Sequence, residues 1–149
     1  MKNILLTLLL FIFLSSDIFS QELTPLSDYM QTADQSSPST AEYVCIRCGS
    51  ISLALAKFQG PDRKEHNKNL FDFWYISAVT TRQLSRPNDD YELIGLDILE
   101  KMELTAMVLS NIMEESEEET KNIFKNNFIR NDLDICNSMA LNVRDILEP

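Results

Sequence analysis

The chain has 149 residues, 13 of them basic and 23 acidic, for a formal net charge of −10. A chain of this length holds one domain with a real core, and its acidity repels phosphate backbones and anionic lipid, which sets nucleic acid aside as a partner. Three glycines and five prolines are too few turn residues for an all-β fold.

Met1-Lys2-Asn3 carries one positive charge, and Ile4 to Leu14 is apolar except for Thr7. That stretch is about half of what a membrane-spanning helix needs, which matches the h-region of a secretory signal peptide. Ser15-Ser16-Asp17-Ile18-Phe19-Ser20 supplies small and polar residues for cleavage after Ser20, with Ser16 as the second choice. The expectation is an exported protein, periplasmic or secreted, with no transmembrane segment in the mature chain. Removing residues 1–20 takes away Lys2 and Asp17, so 12 basic minus 22 acidic residues still gives −10.

Residues 21–40, rich in Ser, Thr, Gln, Asp and Pro, read as a flexible N-terminal segment. Within it Leu23, Leu26, Tyr29 and Met30 are the residues able to dock on the domain as a short turn. The domain itself occupies residues 41–149.

Four amphipathic stretches follow. Ser39 or Thr40 caps the first, on which Val44, Cys48, Ile51, Leu55 and Phe58 form one apolar stripe. Gly60-Pro61 ends it, glycine giving a left-handed C-terminal position and proline blocking continuation. The second runs from about Arg63 to Leu84, with Leu70, Phe71, Trp74, Ala78 and Val79 inward. Asn88 or Asp89 caps the third, whose stripe is Tyr91, Ile94, Ile98, Met102, Leu109 and Ile112. In Glu114–Glu119, Ser116 and Glu119 make a capping box and the glutamates meet the positive end of a helix dipole, so the last helix begins there. Its stripe is Phe124, Phe128 or Ile129, Leu133, Cys136, Ala140, Val143 and Leu147. Four helices with short breaks pack most simply as an antiparallel up-down four-helix bundle.

Export permits disulfides among Cys45, Cys48 and Cys136. Cys48 and Cys136 lie on the stripes of the first and last helices, which an up-down bundle makes neighbours. Their bridge is the first expectation, with Cys45–Cys136 as the alternative and the remaining cysteine free. Cys45-Ile46-Arg47-Cys48 fails as a haem attachment site, because Gly49 stands where histidine is required. It has no second pair for zinc and no βαβ surroundings for a thioredoxin-like site. A thiol-redox role for Cys45 and Cys48 is the alternative functional reading.

The single histidine, His66, has Arg63 three residues before it, so the paired Glu-x-x-His motifs of a di-iron bundle are absent. It reads as a solvated residue. Glu114–Glu119 lacks the alternating oxygens and glycine of a calcium loop. No catalytic set, metal site or cofactor site is implied. Phe71, Phe73, Trp74 and Tyr75 exceed what one inward face needs, and are the candidate patch for a ligand or partner.

The run Cys48-Gly49-Ser50-Ile51-Ser52-Leu53-Ala54-Leu55-Ala56, together with a late Cys136, resembles small exported helical proteins of Gram-negative bacteria. That resemblance implies a periplasmic helical domain with a Cys48–Cys136 bridge and Cys45 as an extra. The functional expectation is a non-enzymatic domain that binds a protein or a small apolar ligand.

Overall fold

The computed structural model describes residues 23–147, with side chains through Leu141. The expected signal peptide, residues 1–20, lies outside the described residues. Among these there are five α-helices and no strand. They are α1 (Leu26–Thr32), α2 (Pro38–Leu55), α3 (Pro61–Ser85), α4 (Tyr91–Thr120) and α5 (Asn127–Leu147), with a 3-10 turn at Ile123–Lys125. The all-α class holds, whereas the count of four helices does not. The extra helix is α1, which falls in the Ser- and Thr-rich segment before residue 40. Leu26 is fully buried, and Leu23, Tyr29 and Met30 pack against the core. The Tyr29 ring centroid lies 4.1 Å from that of Tyr43 on α2. No helix among the described residues is long and apolar enough to cross a membrane.

Helix α2 is the hub, in contact with α3, α4 and α5. Its residues from Arg47 through Ser52 are all buried, so neighbours cover it on several sides instead of along one stripe. Small residues make this possible. A Cβ on Gly49 would fall 2.8 Å from Met102 Cε and 3.3 Å from Trp74 Cβ, so any side chain there would have to displace the end of Met102 and press on Trp74. Ser50 and Ser52 donate to the carbonyls of Ile46 and Cys48 one turn back, which satisfies their hydroxyls without a partner helix.

Several helix ends differ from the sequence expectation. Ser37 precedes α2 and Pro38 occupies its first turn, two residues before the expected cap. Gly60 does not close that helix in a left-handed conformation: at φ −65° and ψ 172° it is the extended N-cap of α3, with Pro61 at the first helical position. The α4 cap is Asp90, whose carboxylate accepts from the amides of Glu92 and Leu93.

The largest correction concerns Glu114–Glu119. These residues do not start the last helix; they end α4, which continues to Thr120 and closes with Lys121 at φ 58°. Their charges therefore sit at the negative end of the dipole, the unfavourable end. Burial decides against the dipole here, because Leu109, Met113 and Ser116 extend the inner face of α4. Asn126, which accepts from the amides of Phe128 and Ile129, starts the final helix instead.

Two charged ties join the helices, the first of them fully buried. Arg47 on α2 donates through Nε to Asp132 Oδ2 on α5 at 2.6 Å, and the side chains are 1 % and 0 % exposed. The other oxygen of Asp132 accepts the backbone amide of Leu26 at 2.7 Å, so one carboxylate joins α1, α2 and α5. Arg82 on α3 reaches both Glu42 on α2 and Asp97 on α4. The hydrogen bond from Lys101, then that from Arg82, holds the Asp97 carboxyl below its ordinary value. Removing one partner of a buried pair strands the other. We predict that Asp132→Ala lowers stability by about 3–5 kcal/mol in urea unfolding followed by circular dichroism. A loss below about 1 kcal/mol, the range of an exposed pair, contradicts the assignment.

Candidate functional site

The structure joins Cys48 to Cys136, with their Cα atoms 5.4 Å apart at a sequence separation of 88. Closing a loop of that length restricts the unfolded chain by about 4–5 kcal/mol on the chain-entropy model. The bridge and the Arg47–Asp132 pair are adjacent on α2 and one turn apart on α5. Together they hold α5 against the hub. This disulfide, and the lack of a membrane-spanning helix among the described residues, fit an exported protein.

Cys45 is the free cysteine among the described residues. Burial, with a smaller contribution from the nearby charge of Glu42, pushes its thiol up to about 11. A half-buried thiol held neutral is a poor nucleophile, because the thiolate is the reactive form. No three His, Cys, Asp or Glu side chains converge as metal ligands among the described residues.

The aromatic run divides between core and boundary. Trp74 is 4 % exposed, packed edge-on to Phe73 with ring centroids 4.8 Å apart. Phe71 and Tyr75 stack on each other at 6.2 Å, and the Tyr75 hydroxyl lies over Gly95 of α4. Phe71, Phe73 and Tyr75 are half-buried. The four residues thus brace α3 against its neighbours and do not make one exposed patch. The strongly exposed apolar side chains are elsewhere, most of them on α4.

Beside Trp74 the packing leaves a cleft of about 170 Å³, enclosed by α2, α3, the 3-10 turn and α5. Its apolar wall comes from Ile51, Leu55, Leu70, Leu133 and Ala140, with Trp74 and Cys136 at depth. Its polar lining comes from Gln59, Arg63, His66, Asn67 and Asn137. Residues 63, 66, 67, 70 and 74 share one face of α3. Along that face the lining passes from exposed Arg63 and His66, through buried Asn67, to Leu70 and buried Trp74. Asn67 Nδ2 donates to Gln59 Oε1 at 2.9 Å, which fixes the turn between α2 and α3 at the mouth.

Sequence reasoning singled out Trp74 and the disulfide, but missed that they share a cavity with His66. Read as a helix, Arg63, His66, Leu70 and Trp74 already lie on one face, and that spacing is the signal that was available. No family model, curated protein or solved structure matches this chain.

The bridge and the thiol are checked together by counting cysteines. We expect the folded protein at pH 8 to alkylate at Cys45 roughly a hundredfold more slowly than an unshifted thiol, because so little thiolate forms. The rate should rise about tenfold per pH unit until the pH nears that of the shifted thiol. Denaturation without reductant should expose one reactive thiol, and reduction should expose all three cysteines. Two or more reactive thiols before reduction would contradict the pairing.

Proposed function

We propose that this chain is a non-enzymatic exported binding domain, and that its ligand is a small apolar molecule with an acidic end, held in the cleft beside Trp74. The observation that carries this reading is the gradient along α3, from a cationic and amide-lined mouth to an apolar floor. Binding sites have this build: an apolar cavity for affinity and a few converging polar groups for orientation. A cleft volume near 170 Å³ leaves room for one ring or a short chain. Arg63 supplies the fork that carboxylates favour, and His66 and Asn67 add donors beside it. Neither Asp62 nor Glu65 lines the cleft, so its mouth is locally cationic in a chain of net charge −10.

The thiol-redox alternative requires Cys45 and Cys48 to form a reversible pair. Cys48 is bonded to Cys136 and the Cys45 thiol is held neutral by burial, so the binding reading has the stronger support.

Trp74 is the sole tryptophan and reports on the cleft directly. Titration with benzoate and hexanoate should shift its emission saturably, and the corresponding amides should bind roughly three- to tenfold more weakly at low salt. Arg63→Gln should remove that preference, and Ala140→Leu, which fills the cavity, should remove the response. If no single-ring or short-chain compound alters Trp74 emission or raises the melting temperature, the cleft is not a ligand site.

A further inference from the structure

Helix α4 has two apolar faces. The inner one, formed by Ile94, Ile98, Met102, Ala106, Leu109 and Met113, is buried. On the opposite side Leu93, Leu96, Leu104 and Met107 fall at i, i+3, i+11 and i+14, which a helix places on one face. All four are exposed, Leu96 and Met107 by 63 % and 60 %. Val108, also exposed, widens the stripe beside Leu104. The stripe runs about 21 Å at 1.5 Å per residue. Exposed apolar side chains aligned on one helix face in two groups, 93 and 96 and then 104, 107 and 108, mark an interaction site.

The charges around the stripe select its partner. Helix α4 carries nine acidic residues and one basic residue, Lys101. Glu92, Glu103 and Glu114 follow one edge at three-turn intervals, and Glu100 stands within the stripe. All four are exposed. Lys101 is already engaged, donating to Asp97 at 2.7 Å. A second copy of this chain would set acidic edge against acidic edge, and like charges across an interface oppose association. An anionic membrane surface meets the same repulsion.

We propose that the outer face of α4 docks an amphipathic helix of a partner protein whose apolar face is flanked by Lys and Arg. Apolar anchors at i, i+3, i+4 and i+7 on that helix would seat between Leu93 and Met107, and its flanking cations would meet Glu92, Glu100, Glu103 and Glu114. This is recognition of one amphipathic helix by the apolar stripe of another, read through anchors at helical spacing. It is independent of the cleft, which lies against α2, α3 and α5.

The test uses the protein purified after expression of the full chain and a fluorescent peptide of about sixteen residues, built of Leu and Lys at helical spacing to match the stripe. Anisotropy should report binding that weakens with salt. Leu96→Ser combined with Met107→Ser should reduce affinity at least tenfold, as should Glu103→Lys, which leaves every apolar side chain in place. A matching Leu and Glu peptide should bind at least tenfold more weakly than the Leu and Lys peptide. Equal binding by the serine variant would reduce the effect to bulk electrostatics and overturn the proposal. So would a wild-type dimer that the serine variant converts to monomer, or co-sedimentation with phosphatidylcholine vesicles that the serine variant abolishes.

Discussion

Arg47 and Asp132 carry opposite charges into an interior where almost nothing of either is exposed. Desolvating two ions costs several kcal/mol each, and the cost is recovered only when the remaining polar atoms find partners. Asp132 meets that condition through the Leu26 amide. Arg47 meets it in part: Nε is paired, the guanidinium lies 4.7 Å from the Phe128 ring centroid, and its two terminal nitrogens have no hydrogen-bond partner among the described residues. The pair therefore contributes more to arrangement than to net stability. It fixes where α1 begins, how α2 is rotated and where α5 lies, and a carboxylate moved by one helical position would serve none of these.

From that constraint the remainder of the interior follows. With Arg47 turned toward α5, Cys48 faces Cys136 and the bridge closes. Gly49 then faces α4 and α3, which is why a side chain there would strike Met102 and Trp74. Trp74 is thereby pinned at the floor of the cleft, while α3 leads away from it to Arg63 and His66 at the mouth. The Arg82 tie to Glu42 and Asp97 holds α3 between α2 and α4. The cleft is thus a consequence of how α2 is held, and its two walls belong to helices fixed by separate ion pairs.

Much of this was legible in the residues. The stripes of α2 and α5 place Cys48 and Cys136 inward, and the same periodicity puts Trp74, Ala78 and Val79 in the core. Leu23, Leu26, Tyr29 and Met30 were legible as docking residues, but the Ser-rich composition around them concealed that Leu26 starts a full helix and is completely buried. The capping box at Ser116 misled because local dipole chemistry favours a helix start, whereas the inner face of α4 continues through Met113 and Ser116. Arg47 and Asp132 were not singled out from the sequence. However, each sits on the inward face of its helix beside a bridging cysteine, at positions 44, 47, 48 and 51 and at 129, 132, 133 and 136. Opposite charges on two inward faces, next to a cross-link, are a signal of pairing. The outer stripe of α4 was likewise visible as apolar residues left over once the inner stripe was assigned.

The account turns on Asp132 holding the start of α1 to the domain, and the backbone amide of Leu26 reports on that bond alone. It precedes the first intrahelical hydrogen bond of α1, so its acceptor is the Asp132 carboxylate. Native-state hydrogen exchange at this amide should show protection comparable to that of Ile51, a fully buried core residue of α2. Exchange of Leu26 at the rate of an unstructured peptide, with Ile51 still protected, would contradict the account.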